Sequence, residues 1–436
     1  MIKMGRSFWW MVLLIFISFI ISRLPDLSNN PIYQRLFIAL LIVLLGNFIW
    51  TVFSLHGVEL TRSTRSTRKQ VGEVFSENFE IVNRSFLPKI WVKITDQSEL
   101  SDRAGSSILT WIGGHHTRQY IAYSLLEKRG WFLLGPTLVE SGDLFGLFLL
   151  RKRIDPQSHL LVIPYTVNIS NFPAPFGVLP GGRALRQKTL DVTPYSAGVR
   201  EFVHGDPLKR IHWPTSARKQ RLIVKEFEKD PLAEVWIFLD ARRDVHIHQP
   251  ANAIEPGADR WQLRQKKDFA LPPDTEEYAV SITASIAQYY LRNKREVGLV
   301  SVGQNYSVLP AERGERQLGK ILETLAVLRA EGDMPLWGLI SSQITHLARG
   351  SSIIIITPST DEGILSVVMD LLQRGLMPVV ILIDPSSFGA EVDISDLETA
   401  LMNRGVLTFV VREGDNLKMV LESARVQPNI LRIYNH

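Results

Sequence analysis

The chain has 436 residues, a formal net charge of +5 and no cysteine. A chain of this length is expected to form two or three domains rather than a single core. The lack of cysteine excludes disulfide bonds, thiol catalysis and zinc sites built on cysteine ligands. The mild basic surplus does not by itself indicate nucleic-acid binding, because membrane proteins collect Lys and Arg on their cytoplasmic flank.

Two apolar, uncharged runs near the N-terminus predict a pair of transmembrane helices in residues 1–60. They cover residues 7–22 and 36–55. The second run matches the roughly 20 residues needed to cross a bilayer, and the first is a little shorter. A short polar segment with Pro25 and Pro31 separates them, which favours a helical hairpin. A cleaved signal peptide is the alternative, but no small-residue cleavage site follows the first run.

The charges that flank the hairpin predict its orientation. Lys3 and Arg6 precede the first run, and a basic stretch follows the second: Arg62, Arg65, Arg68 and Lys69. The positive-inside rule then places both ends of the hairpin, and everything after residue 60, in the cytoplasm of a multi-pass protein of the cell membrane. Contact of the basic stretch with lipid headgroups is favoured over its alternative, nucleic-acid binding.

Residues 61–170 have the pattern of an all-β region. Short β-prone runs such as Phe79–Val82 and Ile90–Ile94 alternate with turn residues, which predicts a β-sandwich-like domain. The Pro/Gly-rich stretch 172–188 follows and predicts a linker, so residues 171–233 are expected to form a linker together with the segment described below.

From residue 234 to 436 the pattern changes to buried strands that alternate with helices. The predicted strands are Val235–Leu239, Val297–Val302, Ile353–Ile356, Val379–Ile383 and Leu407–Val411. Asp274 with Glu277, and Ser359 with Glu362, have the spacing of capping boxes that open helices. Continuous apolar strands joined by helices predict a mostly parallel α/β sheet, with a short antiparallel edge at Tyr306–Leu309.

Residues 198–230, here called the signature segment, contain the most unusual residue types of the chain. Gly205, Asp206 and Pro207 form a helix-entry signal, in which Asp206 can cap and Pro207 is tolerated at the first helical position. Trp213 is expected to lie in the core, and residues 222–227 alternate as a strand does. The segment is interpreted chiefly as a structural clasp between the two domains, with a partner-docking surface as the alternative.

This segment resembles the signature of the bacterial domain-of-unknown-function-58 family. The matching residues are Arg200, Glu201, Gly205, Asp206, Arg210, Ile211, Trp213, Ala217 and Arg218, with Phe202 in a tyrosine position. Residues 129–136 and 143–148 also look like recurring motifs of that family, although Leu144 replaces a proline. The resemblance implies a Rossmann-type, von Willebrand factor A-like domain over residues 234–436. It also implies a MoxR-type AAA+ ATPase as partner.

Domains of the von Willebrand A type hold a metal ion through Asp-x-Ser-x-Ser after the first strand, and this chain departs from that motif. Only Asp240 is retained, while Arg242 and Asp244 replace the two serines. A further metal-linked aspartate is expected after a later strand, where Pro358 stands and Asp361 follows. We therefore expect no metal and no cofactor, and Asp240 is expected to pair with Arg242 or Arg243.

The long polar insertion after Asp240, residues 242–273, carries two further hypotheses. Zinc binding by His246 and His248 with Asp244 is the weaker one. The stronger is a basic partner-binding surface formed by Arg242, Arg243, Arg260 and Arg264, with an insertion that is only a solvated loop as its equal alternative.

No phosphate-binding loop, nucleophile elbow or His-Glu-x-x-His motif occurs, so no catalytic residue can be named. The leading interpretation is a non-enzymatic, membrane-anchored scaffold that partners an ATPase in the assembly or maintenance of envelope complexes. One alternative is a metal-dependent ligand-binding receptor, in which Asp240 and Asp361 would converge. The other is a hydrolase that uses His204, His212 and Asp206.

Overall fold

A computed structural model describes residues 2–23, 31–100, 105–155, 158–172, 196–202, 211–227, 234–249 and 269–423. The chain divides into two compact units, Met1–Ile163 with Asn252–Ala270, and Pro164–Ala251 with Leu271–His436. In the first unit the described elements are β1 (Ile2–Met4), α1 (Arg6–Ile21), α2 (Pro31–Ser54), β2 (Val58–Thr64), β3 (Arg68–Gln70), β4 (Val74–Asn83), β5 (Lys89–Asp96), β6 (Ser107–Ile112), β7 (Thr117–Leu125), β8 (Gly130–Leu134), β9 (Thr137–Gly142), β10 (Phe148–Ile154) and β11 (Ser158–Ile163).

Helix α2 is the one described helix that is long and apolar enough to cross a membrane by length and composition. Its apolar side chains are mostly exposed. Helix α1 has 16 residues and is apolar but shorter. The two helices touch, since the rings of Phe19 and Phe37 lie 5.5 Å apart. The segment that contains Pro25 lies outside the described residues.

The strands of the first unit form a sandwich-like arrangement. One sheet has the order β1-β10-β9-β5-β6, a second has β2-β4-β7, and a third has β3-β11-β8. Buried side chains of the first two sheets meet in one core: Val58, Ile81, Val92, Ile94, Ile112 and Val139. Since Val92 and Ile94 alternate with less buried neighbours along β5, the period-2 pattern of the sequence explains which face packs inward.

Arg62 corrects the interpretation of the basic stretch as a set of lipid-facing charges. Its guanidinium makes two 2.6 Å bonds to the carboxylate of Glu77 and a 3.0 Å bond to Asp96. Both carboxylates are 2% exposed, and the ring of Phe79 lies 5.1 Å from the guanidinium carbon. Arg62 therefore stabilises the interior of the sandwich, whereas Arg65 is exposed.

The second unit is built on a parallel sheet. Its described elements are β12 (Ser196–Glu201), α3 (Trp213–Lys219), β13 (Ile223–Phe227), β14 (Val235–Leu239), α4 (Thr275–Arg292), β15 (Val297–Val302), β16 (Tyr306–Glu312), α5 (Glu315–Val327), α6 (Leu336–Gln343), β17 (Ser352–Thr357), α7 (Gly363–Gln373), β18 (Met377–Ile383), α8 (Ser395–Asn403), β19 (Leu407–Val411) and α9 (Leu417–Glu422).

Six of these strands form one sheet in the order β16-β15-β14-β17-β18-β19. All neighbours are parallel except β16, which is antiparallel to β15 as the sequence predicts for Tyr306–Leu309. The strand order reverses between β14 and β17, which are adjacent in space but far apart in sequence. Such a reversal is the topological switch point at which open α/β sheets bind ligands.

The predicted starts of two helices have different outcomes. Helix α4 begins as expected, because the carboxylate of Asp274 accepts bonds from the amides of Glu276 and Glu277. Helix α7 does not begin at a Ser359 cap. Instead, Ser359 Oγ accepts the amide of Asp361, and a carboxylate oxygen of Asp361 accepts the amide of Gly363, where the helix begins. These two successive turns, each closed by a side-chain hydrogen bond, place the first helical residue at Gly363 rather than directly after Ser359.

Candidate functional site at the carboxyl edge of the sheet

The candidate site lies where β14 and β17 end, at the switch point of the six-stranded sheet. Asp240 directly follows β14, and Ser359 and Asp361 follow β17. Since β14 and β17 are parallel neighbours, their carboxyl ends meet at one edge. The structure thus brings together the residues that the sequence assigned to this place.

Asp240 is a buried carboxylate, 3% exposed. Its Oδ2 accepts a 2.7 Å bond from the Thr357 hydroxyl, and its Oδ1 accepts the backbone amide of Arg242 at 3.2 Å. Burial raises the pKa of the Asp240 carboxyl, and the Thr357 bond offsets part of that rise. The expected side-chain ion pair of Asp240 with Arg242 or Arg243 is wrong, because a hydroxyl and a backbone amide hold the carboxylate.

The guanidinium of Arg242 pairs with two other carboxylates of the edge. Its Nε lies 2.7 Å from Asp244, and its Nη1 lies 3.8 Å from Asp361. Its Nη2 also donates to Ser359 Oγ at 3.4 Å. The Arg242 side chain is 18% exposed, so its charge is held within the edge. The indole of Trp337 donates to the same carboxylate of Asp361 and fixes its position.

The oxygen donors at this edge do not fit a divalent cation. Mg²⁺ requires near-octahedral oxygen ligands. A guanidinium among the oxygens repels the cation and also occupies the oxygen atoms that would coordinate it. Ser359 and Asp361 are the hydroxyl and carboxylate that a metal here would need, and both contact Arg242. Within the ranges that the structure describes, no group of three His, Asp or Glu side chains could hold a metal ion.

His246 and His248 of the insertion each contact different polar groups. His246 is buried, and burial lowers its pKa and favours the neutral ring. The neutral ring donates from Nε2 to the carbonyl of Asp240 and accepts at Nδ1 from the Thr275 hydroxyl. His248 is half exposed and its Nδ1 lies 2.8 Å from Asp274. Both nitrogens of His246 are thus engaged, and the zinc hypothesis has no free ligand pair.

The next strands contribute a second ion pair that the sequence analysis missed. Asp384 follows β18, and its carboxylate accepts hydrogen bonds from the amide and the hydroxyl of Ser386. Arg412 follows β19 and its Nε donates to Asp384 at 3.1 Å. The signal was present in the sequence, because Asp384 and Arg412 each directly follow a predicted strand.

The described part of the signature segment forms a two-stranded sheet and a short helix within the second unit. Strands β12 and β13 pair antiparallel, so that Arg200 is opposite Val224, and α3 lies between them in sequence. His212 caps α3 by accepting the Thr215 amide, and Ala217 and Arg218 lie in the helix. Glu201 forms an ion pair with Arg221. His204, Gly205, Asp206 and Arg210 lie outside the described residues, so neither the Asp206 cap nor the hydrolase grouping is observed.

Trp213 is exposed rather than buried, which contradicts its predicted place in the core. Its relative exposure is 65%, whereas that of Ile211, two residues earlier, is 6%. Ile211 bridges to Val224 of β13 and takes the inward position. Because Trp213 begins α3 next to Pro214, its side chain points away from the strands.

Of the four arginines assigned to partner binding, two can be described. Arg242 is neutralised by Asp244 and Asp361, as above. Arg243 is exposed and makes no ion pair with the described residues. Arg260 and Arg264 lie outside the described residues.

Comparisons with known proteins give one family. The model of the family described as "Protein of unknown function DUF58" matches residues 198–247. An uncharacterized protein of Bacillus subtilis, YeaD, is 21% identical over 339 residues, which cover 75% of this chain and 77% of that protein. The C-terminal domain of wzt aligns with 24% of this chain and 73% of its own at 11% identity, with a TM-score of 0.18. A Pseudomonas fluorescens DNA glycosylase, AlkC, aligns with 34% of this chain and 42% of its own at 9% identity, with a TM-score of 0.17.

Proposed function

We propose that this chain, whose residues 198–247 match the model of the DUF58 family, is a membrane-anchored, non-enzymatic scaffold that presents a von Willebrand A-like domain to a protein partner. The anchor is the pair α1 and α2. The presented surface is the carboxyl edge of the six-stranded sheet. The observation that supports this proposal is the position of Arg242, whose guanidinium contacts Asp244, Asp361 and Ser359 at that edge.

The anchor is supported by strand pairing at the N-terminus. Strand β1 pairs antiparallel with β10, with Ile2 opposite Leu150 and Met4 opposite Phe148. Two strands of one sheet must lie on the same side of a bilayer, because a lipid-exposed open sheet cannot span it. Val58 of β2 shares one buried core with Val92 of that sheet, so β2 lies on the same side and the chain between Met4 and β2 crosses an even number of times. Since α2 is apolar enough to cross, α1 crosses with it, which gives the hairpin and a multi-pass topology.

The orientation of the hairpin follows from the remaining flanking charges. Lys3 and Arg6 precede α1 and are exposed, as is Arg65 after α2. Even without Arg62, the positive-inside rule puts this side in the cytoplasm. A C-terminal green fluorescent protein fusion should fluoresce and a C-terminal alkaline phosphatase fusion should be silent. Active phosphatase with a dark fluorescent fusion would show the inverted orientation.

The α/β domain is proposed to bind without a metal. A metal-dependent receptor supplies one coordination site to an acidic group of its ligand, whereas here the guanidinium of Arg242 lies among the oxygens of the edge and its charge is balanced by carboxylates of the chain. Asp244 and Asp361 hold that charge in place. Exposed Arg243, next in sequence, is then the cation available to a partner. The resemblance to the DUF58 family suggests that the partner is a MoxR-type AAA+ ATPase, and that the pair serves assembly or maintenance of envelope complexes.

Site-specific photo-crosslinking in intact membranes tests this proposal. A crosslinking amino acid placed at Arg243 should capture an AAA+ ATPase that mass spectrometry identifies. The matched control is Arg404, which is exposed and precedes β19 at the opposite edge of the sheet. Capture of the ATPase at both positions alike, or at neither, would contradict docking at the carboxyl edge.

A further inference from the structure

Two loops of the first unit expose large apolar side chains beside the ends of α1 and α2. Leu144 and Phe145 are 68% and 61% exposed, and Phe86 is 78% exposed. We propose that these three side chains, here called the apolar rim, insert into the membrane interface around the anchor and hold the sandwich against the lipid surface. This inference rests on the membrane anchor of the proposed function.

The loop that carries Leu144 and Phe145 is tied to the first residue before α1. The amide of Gly5 donates to the carbonyl of Leu147 at 2.8 Å. A Cβ atom on Gly5 would lie 1.9 Å from the carbonyl oxygen of Gly146, so only glycine allows this approach. The loop therefore lies at the level where α1 begins.

The residues at the start of α1 are typical of the interface between a membrane and water. Trp9 and Trp10, in the first turns of the helix, are exposed at 66% and 69%. Tryptophan is enriched where a transmembrane helix passes through the headgroup region. Lys3 and Arg6, just before them, are exposed and basic. An apolar side chain at the same height is therefore placed at the lipid surface.

The Leu144–Phe145 loop is rigid, which distinguishes it from a mobile turn. The buried carboxylate of Asp143 accepts the backbone amides of Phe145, Leu147 and Phe148 at 2.7, 3.1 and 2.6 Å. The ring of Phe148 lies 5.3 Å from that of Phe8 in α1 and 5.4 Å from that of Phe48 in α2. Strand β10 thus begins at the helix pair, and the loop is presented in a fixed orientation.

Phe86 lies in the same way beside the end of α2. The amide of Arg84 donates to the carbonyl of Gly57 at 2.7 Å, and a Cβ atom on Gly57 would meet the amide of Ser85 at 2.9 Å. The ammonium of Lys89 donates to the carbonyl of Phe53 in the last turn of α2 at 2.8 Å. Phe53 and Phe86 line one shallow cavity with Lys89. A second apolar tip is thereby fixed at the point where α2 ends.

The occupant of this surface is a lipid bilayer rather than a protein, because the rim is continuous with the apolar surface of the helix pair. The rim side chains are joined through the backbone to the residues that begin α1 and end α2. Insertion of exposed apolar side chains at the headgroup boundary strengthens binding in proportion to the apolar area buried. The basic side chains near the start of α1, Lys3 and Arg6, match anionic headgroups, whereas Arg84 is paired with Glu59.

Since the chain has no cysteine, single-cysteine variants can each carry one fluorescent label. Full-length protein with an environment-sensitive label at Phe145→Cys, Phe86→Cys, Trp9→Cys or Arg153→Cys is placed in nanodiscs of phosphatidylglycerol and phosphatidylethanolamine. Doxyl-labelled lipids then quench a label that lies in the bilayer. Arg153 is the matched control, because it is exposed in β10 five positions beyond Phe148, roughly 17 Å along a strand that leads away from α1.

Labels at Phe145 and Phe86 should be quenched at least roughly twofold more than the label at Arg153 and should emit at shorter wavelength, as expected of inserted groups. The label at Trp9 separates the two claims. If Trp9 is quenched while Phe145 and Phe86 behave as Arg153 does, the apolar rim is wrong and the anchor stands. If Trp9 is not quenched either, the membrane anchor itself fails.

Discussion

Nη1 of Arg242 lies 3.8 Å from Oδ2 of Asp361, and the two residues follow neighbouring parallel strands. The cation and the carboxylate therefore join the carboxyl ends of β14 and β17 at the switch point of the sheet. The same guanidinium contacts Asp244 and Ser359. One guanidinium thus connects three polar side chains at this edge of the sheet.

Arg62 should be essential for the stability of the sandwich. Arg62→Met removes the cation that lies between Glu77 and Asp96, and both buried carboxylates lose their guanidinium partner. Breaking a buried ion pair by removing one partner costs about 3–5 kcal/mol. Urea unfolding of the detergent-solubilised protein measures the loss. Arg65→Met is the control, because Arg65 is exposed, and it should change the free energy of unfolding by less than about 0.5 kcal/mol. Equal effects of the two variants would contradict the network.

Trp213 should contribute little to stability although it belongs to the family motif. Its side chain is 65% exposed, so Trp213→Ala should cost less than about 1 kcal/mol, as a surface change does. Ile211→Ala in the same segment should cost about 2–4 kcal/mol, because Ile211 is buried. Urea melts of both variants decide between a docking surface and a clasp. A loss of several kcal/mol for Trp213→Ala would restore the clasp.

The contrast between Ile211 and Trp213 shows what the sequence could and could not predict. The five apolar runs form strands of the parallel sheet, where each is buried on both faces, as short continuous apolar runs that alternate with helices predict. Size and apolarity alone put Trp213 in the core, but Ile211 takes the inward position, and Trp213, which begins a short helix, has an exposed side chain. For Arg62, the partners Glu77 and Asp96 come from β4 and β5, and such long-range pairing leaves no local pattern.

Asp240 and Arg242 lie at the carboxyl edge of the sheet, where the sequence placed them, but their hydrogen bonds and ion pairs differ from those expected. The departure from the Asp-x-Ser-x-Ser motif is what singled out Asp240 and Arg242 in the sequence. The partner of Arg242 was assigned wrongly, because a backbone amide and the Thr357 hydroxyl already hold Asp240. The pair of Asp384 and Arg412 was missed, since neither residue belongs to a known motif, although both follow predicted strands.

His248 should stabilise the second unit more in acid than in base. Burial by itself lowers the pKa of His248, but the hydrogen bond and charge of Asp274, with Glu276 and Glu277, outweigh it and the pKa is raised. A raised folded-state pKa gives stability that is fully present below the unfolded value, about 6.5, and lost as the pH rises through the folded value.

His248→Gln should therefore lower the free energy of unfolding more at about pH 5.5 than at about pH 8.5. His346→Gln is the control, because His346 is exposed in the same unit and has no ion pair with the described residues. Urea melts at both pH values measure the difference. A loss for His248→Gln that does not depend on pH would show that the pair with Asp274 is not ionic.

Arg243 should determine the salt dependence of partner binding. It is exposed at the carboxyl edge, so Arg243→Glu should reduce the recovery of the ATPase most at low ionic strength, where charge steering is strongest. Co-purification across a salt series measures this. Arg404→Glu makes the same charge change at the opposite edge and should leave recovery unaltered. Unchanged recovery with Arg243→Glu at every salt concentration would exclude this edge as the docking surface.

Calorimetric titration of the full-length protein with Mg²⁺ tests most directly whether Arg242 replaces the metal. Wild-type protein should give no saturable heat at sub-millimolar Mg²⁺, because the guanidinium contacts Ser359 and Asp361, the oxygens that the ion would need. Saturable binding in that range, abolished by Asp240→Ala and retained by the surface variant Arg404→Ala, would contradict the replacement of the metal by Arg242.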